Sequence, residues 1–134
     1  MKKQLLWLGL AFVSLTFNTT ATQLAPLPQQ SKAAYLSAEV LTRYHYKRIP
    51  LDDGSSAIIF DNYLKTMDGE KVFFLQSDID QFASYRNKLD DAILNEDLAV
   101  PFTMFNLYQQ RVAERYSYAR TLLARGFDFD SKES

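Results

Sequence analysis

The 134-residue chain contains no cysteine. That absence removes disulfides, thiolate metal sites, thiol nucleophiles and a lipid-modified N-terminal cysteine together, and leaves the redox compartment open. Histidine is nearly absent too, His45 being the sole copy. A His-rich metal site is therefore excluded, and His45 as a general base would need a nucleophile positioned beside it. The expectation for His45 is a helix-surface or interface residue. Glycine and proline occur only four times each, so little interrupts regular backbone. Charge of one sign is also scarce: 15 basic residues face 16 acidic ones, for a formal charge of -1. No strong basic field exists to draw in nucleic acid or anionic lipid.

Large side chains are plentiful. Hydrophobic residues make up 47% of the chain, with ten Phe and eight Tyr. Together with 23% charged residues, this is the profile of one small globular domain rather than a disordered chain. Many large apolar residues and few breakers favour helices packed on one another.

The first residues have the layout of a secretory signal peptide. Lys2 and Lys3 form a basic start, Leu5 to Phe17 is apolar apart from Gly9, Ser14 and Thr16, and Ala21 is suited to be the last residue before cleavage. The apolar run is short for a membrane span, which needs about 20 residues. Residues 1–21 are thus expected to be removed on export to the periplasm, with membrane contact only through this segment. Losing two lysines moves the formal charge from -1 to -3.

In the mature chain, Thr22 to Gln30 carries Pro26 and Pro28 and reads as a flexible or extended leader. Ser31 is expected to cap a first helix reaching about Tyr46, with Ala33, Leu36, Val40 and Tyr44 on one face. Ile49-Pro50 stops it, because proline disfavours the helical region in the residue before it. Asp53 or Ser55 can cap a second helix, whose apolar stripe is Phe60, Tyr63, Leu64 and Met67. Asp68-Gly69 marks a turn. Val72-Phe73-Phe74-Leu75 is apolar enough for a strand, but Ser77 and Asp80 follow at capping-box spacing, so it reads as a buried connector. A third helix would carry Ile79, Phe82, Ala83, Leu89 and Ile93 on one side, with Arg86 at its edge. The fourth runs from Leu98 to Arg125, on the order of 40 Å at 1.5 Å per residue. Asp97 is its cap, Gly126 its stop, and Phe105, Tyr108, Val112, Tyr116, Ala119 and Leu123 its apolar stripe. The fold class is all-α: about four amphipathic helices in a compact bundle.

Catalytic chemistry finds no footing. There is no Gly-rich phosphate loop, GxSxG elbow or HExxH helix. Asp52-Asp53 and Asp90-Asp91 lack the alternating ligands of a calcium loop, so capping is expected for Asp53 and solvation for Asp90-Asp91. Ser55 and Ser56 stand near Lys47 in sequence, which alone makes no Ser-Lys dyad. Arg111, Arg115, Arg120 and Arg125 read as a solvated helix face rather than an RNA-binding stripe. No catalytic residue, metal or cofactor is expected.

Several segments nevertheless form a pattern. They are Arg43-Tyr44-His45-Tyr46, Leu51-Asp52-Asp53, Ile59-Phe60-Asp61-Asn62-Tyr63-Leu64, Met67-Asp68 and the run from Phe74 to Phe82. A second block comprises Phe105-Asn106-Leu107-Tyr108, Arg111, the run from Glu114 to Ala119, and Phe127-Asp128-Phe129. In order and spacing these resemble the N-terminal domain of the tail-specific, or C-terminal processing, periplasmic proteases, over roughly residues 39 to 129. The resemblance implies a helical domain, here residues 31–129, that precedes a PDZ domain and a serine protease domain with a Ser-Lys dyad. The dyad of that family lies downstream, and no residue here matches it. What the resemblance implies for these residues is help in enclosing unfolded substrate tails and docking of a helical adaptor. It also implies an interface with the PDZ and catalytic domains, for which Phe127 and Phe129 are the candidates, with 130–134 as a truncated tail. A free-standing periplasmic protein–protein interaction module is the alternative reading.

Overall fold

The computed structural model describes residues 23–47 and 49–126. The expected signal peptide, and Phe127 and Phe129 with the tail, lie outside the described residues. Five helices occur in the order α1 (Pro28–Tyr44), α2 (Asp53–Asp68), α3 (Gln76–Ala83), α4 (Leu89–Leu94) and α5 (Ala99–Arg125), with no strand among the described residues. The all-α expectation holds, with one helix more than the sequence suggested.

Helix starts depend on which polar group reaches the orphan N–H groups of the first turn. α1 begins at Pro28, three residues before the expected Ser31 cap. Proline suits the first helical position, where its missing N–H costs nothing, and Gln30 Oε1 accepts the Leu27 N–H at 2.8 Å. Ser31 is instead buried in the first turn. Residues 23–27 ahead of the helix have no regular structure and are pinned to α5: Asn106 Oδ1 accepts the Leu24 N–H, and Asn106 Nδ2 donates to the Leu24 carbonyl, both at 2.8 Å. α2 is capped by Asp52 rather than Asp53 or Ser55. Asp52 Oδ1 accepts the Ser55 N–H at 2.9 Å while Ser55 Oγ accepts the Asp52 N–H at 2.8 Å, a reciprocal box. α3 starts two residues earlier than expected, with Asp78 accepting the Leu75 N–H at 3.0 Å. Asp80 accepts from Gln76 Nε2 instead.

The expected third helix is broken in two, and the cause is tertiary. After Ala83 the chain tightens into successive three-residue turns, Arg86 N–H to Ala83 C=O and Lys88 N–H to Tyr85 C=O. Ser56 of α2, fully buried, then stitches the gap. Its Oγ donates to the Arg86 carbonyl at 2.9 Å and accepts the Leu89 N–H at 2.8 Å. Backbone groups released by the break are thus satisfied inside the protein, as buried groups must be. Arg86 stays at the edge as expected, forked onto Asp61.

The core is small: Phe60 of α2, Phe82 of α3, Leu89 of α4 and Met104 of α5, with Tyr63, Leu64, Val100 and Leu107 packed around them. Each fully buried side chain of this kind contributes roughly 1.5–3 kcal/mol. Tyr63 adds a hydrogen bond from its hydroxyl to the Pro101 carbonyl at 2.9 Å, tying α2 to the first turn of α5, and burial raises its phenol pKa. The 72–75 connector is only partly covered: Phe73 and Phe74 are half-buried against Tyr108, while Val72 and Leu75 are exposed.

Two expected core faces do not reach the core. The α1 stripe of Ala33, Leu36, Val40 and Tyr44 is exposed, Tyr44 at 78%. The α5 stripe is half-buried through Phe105, Tyr108 and Val112 and then emerges, so that Tyr116, Ala119 and Leu123 are exposed. Periodicity reports that a helix has an apolar side, and says nothing of whether a neighbour covers it.

Candidate functional site

α1 packs on α4, and α4 on α2. Where the three meet the segment before α2, they leave an open groove of about 430 Å³. Ala34, Ala38 and Leu41 of α1 form one wall, Ile49 and Pro50 another, and Ile59 of α2 and Ile93 of α4 the floor. Leu41 is 58% exposed and Ile49 half-exposed. α1 ends at Tyr44, short of the expected Tyr46 and five residues ahead of Ile49-Pro50, so the proline is not what stops it; Ile49 and Pro50 instead supply apolar lining to the groove. His45 lines the groove at the end of α1, with Nδ1 3.3 Å from the Lys47 N–H. It is exposed, matching its reading as a surface histidine.

The second feature is the far half of α5. From Ala113 to Arg125 every residue is exposed, including Tyr116, Tyr118 and Leu123. Polar contacts hold α5 at the point where it leaves the core. Arg111 Nε and Nη2 reach Asp78 Oδ2 and Oδ1, each at 2.8 Å, and Arg111 Nη1 reaches Glu114 at 2.8 Å. Arg115 Nη1 donates to the Val72 carbonyl at 2.6 Å. Two of the four arginines read as solvated therefore face inward onto the 72–78 segment.

The carboxylates they meet are held ionised. Hydrogen bonds from the Arg111 guanidinium lower the Asp78 pKa against the opposing effect of burial, and the Leu75 N–H adds to the lowering. Burial pushes Asp68 upward, but the N–H groups of Val72, Phe73 and Phe74 and the charge of Arg115 outweigh it and leave the carboxyl below its usual range. Asp68 accepts those three N–H groups at 2.8–2.9 Å, so one side chain fixes the whole turn after α2. Glu114 is lowered by the Gln110 amide and then by Arg111.

Asp90 departs from expectation. It is buried rather than solvated, and its Oδ1 has no hydrogen-bond partner among the described residues. Asp91 beside it is exposed. No group of three or more His, Asp or Glu placed to hold a metal occurs among the described residues. No helix there is long and apolar enough to cross a membrane. The arrangement is suited to binding protein: two uncovered apolar faces on a scaffold fixed by polar bridges. The groove was missed in the sequence because its lining comes from four separate segments. Its one local trace is the apolar Ile49-Pro50-Leu51 following a helix whose stripe is apolar.

Residues 37–134 match the family described as the tail specific protease N-terminal domain. The tail-specific protease of Haemophilus influenzae is 35% identical over 123 residues, which covers 90% of this chain and 18% of the relative. The chain thus spans about a fifth of that relative's length. The family match takes in the groove from Ser37 onward and both partners of the Asp78–Arg111 bridge.

Proposed function

The chain belongs to the family of tail-specific protease N-terminal domains, and on that premise we propose that it is the amino-terminal helical part of a periplasmic serine-type C-terminal processing peptidase, exported by a signal peptide ending at Ala21. Its contribution to proteolysis is geometric. The groove and the far half of α5 receive neighbouring protein, help to enclose an unfolded substrate tail and offer a face to a helical adaptor. Peptide-bond hydrolysis belongs to the Ser-Lys protease part of the intact enzyme, with the PDZ part binding substrate. Phe127 and Phe129, next in sequence after α5, are proposed contacts with those parts.

One observation carries this reading: large apolar side chains stand exposed on two faces of a domain held together by polar bridges. Leu41 and Ile49 open one face, Tyr116 and Leu123 the other. Clustered apolar exposure marks a surface used for contact.

The test grafts this chain in place of the matching segment of the Haemophilus influenzae relative. Cleavage of an unfolded, tail-bearing reporter should persist in the graft and fall when Leu41 and Leu123 are both changed to Asp. A folded graft without any cleavage refutes the proposal. So does peptidase activity that stays with the isolated chain through rigorous purification. Genomic sequence downstream, in frame or one frameshift away, that encodes PDZ and Ser-Lys protease domains supports it; an unrelated sequence after a genuine stop favours a free-standing module.

A further inference from the structure

We infer that the groove and the far half of α5 are complementary to each other, and that α5 of one copy of this chain docks in the groove of a second copy. The inference needs no other domain and stands apart from the proteolytic reading.

Shape is the first argument. Val112, Tyr116, Ala119 and Leu123 recur at steps of four, three and four, the spacing of one helix face. An apolar helix face is the usual occupant of an apolar groove, anchored through residues one turn apart. On the α1 wall the residues at 34, 37 and 38 are Ala, Ser and Ala, small enough for another helix to approach closely. Beyond the half-buried Val112, neither feature is covered by the described residues of its own chain: Leu123 is 66% exposed and Leu41 58%.

Charge is the second argument. The far half of α5 carries Arg115, Arg120 and Arg125 against Glu114 alone. Between Asp52 and Asp97 acidic residues far outnumber basic ones. α2 begins beside the groove with Asp52 and Asp53 exposed, and α4, which supplies Ile93 to the floor, carries exposed Asp91. A basic amphipathic helix and an acid-flanked apolar groove attract each other.

Because arm and groove are different patches, the contact is heterologous and does not close on two copies by itself. That geometry makes the test specific. The purified chain is followed by light scattering and sedimentation velocity over about a hundredfold range of concentration, since association obeys mass action. The expected result is concentration-dependent assembly that weakens with added salt. Leu123→Asp on the arm and Leu41→Asp in the groove should each weaken self-assembly by about tenfold or more. Mixing the two variants leaves one intact arm and one intact groove, so they should pair and stop at two copies. Arg120→Glu, on the exposed arm, should weaken assembly with helix content unchanged in circular dichroism. A chain that stays monomeric throughout overturns the inference. So does assembly indifferent to Leu123→Asp and Arg120→Glu, or a mixture of folded variants that fails to pair.

Discussion

Asp78 and Arg111 meet fork to fork, Nε on Oδ2 and Nη2 on Oδ1, each at 2.8 Å, and so bind the first turn of α3 to the middle of α5. Thirty-three positions of sequence separate them. The bridge falls where α5 leaves the body: Val112 is half-buried, and from Ala113 to Gly126 every residue is exposed. Planar, two-bond pairing fixes orientation as well as distance. It therefore sets the direction in which the free half of α5 points.

Arg111→Lys should be disruptive although charge is kept. An ammonium cannot occupy both carboxylate oxygens in the plane of the fork. The expected outcome is a lower unfolding midpoint in urea. A double-mutant cycle with Asp78→Asn should give a coupling well above that of exposed pairs. A variant as stable as the parent would mean the fork contributes only what a surface ion pair does.

Acid should loosen the same region. The pKa of Asp78 is lowered in the folded chain, chiefly by Arg111, and that of Asp68 is lowered by three backbone N–H groups that outweigh its burial. Below its unfolded value, a carboxyl takes up a proton more readily in the unfolded chain than in the folded one. The stability it contributes is present above the ordinary carboxylate pKa, about 3.9, and is lost as pH falls through the lower folded values. Thermal unfolding from pH 7 to strong acid should show a loss of stability that begins near or below pH ~4. In Asp78→Asn the acid limb should be shallower. An unchanged limb would place the coupling elsewhere.

Ser56→Ala should cost about 1–3 kcal/mol, because the Leu89 N–H and the Arg86 carbonyl lose their buried partner together. The effect should be local as well: amide exchange at Leu89 should accelerate more than exchange in the near half of α5. Equal acceleration everywhere would mean that Ser56 supports global packing alone.

Ser56 also shows where the sequence stops being legible. Its position three residues after Asp53 suggests only a helix start. Its actual partners lie 30 and 33 residues away, and they explain why the expected helix through Ile93 breaks at Ser84. α5 was legible nearly to the residue, since its pattern is long, Asp97 accepts the Ala99 N–H at 2.9 Å, and Gly126 takes the positive φ of 73° that suits glycine at a helix end. The caps were misassigned by a few positions because Asp52, Asp53 and Ser55, or Ser77, Asp78 and Asp80, are chemically interchangeable until backbone geometry selects one. Arg111 and Arg115 could not be told from Arg120 and Arg125, because distance along a helix does not reveal where its neighbours end. The same limit hid the groove. Stripes on α1 and α5 were visible, but a stripe implies a partner without saying that the partner lies within the chain.

The division of α5 should be measurable as dynamics. Its near half shares the core through Met104, Val100 and Leu107, so its amides open only with the domain and should approach the global stability. Beyond the single tether from Arg115 to the Val72 carbonyl, the far half, Ala113 to Arg125, has only its own hydrogen bonds and side-chain spacing. A free helix shorter than about 12–15 residues is marginal in water. Gly126 caps its end by donating to the Leu123 carbonyl at 3.1 Å, yet no packing face among the described residues reinforces it. Hydrogen exchange should therefore step down just after Val112 rather than decline evenly toward the terminus. Raising the concentration of the chain should restore protection in the far half and, in parallel, at Leu41 and its neighbours on α1, because docking would cover both surfaces at once. Protection that is uniform along α5 in a dilute monomer would mean that something in the chain already covers it. Protection gained on α5 without any change on α1 would separate the helix from the groove.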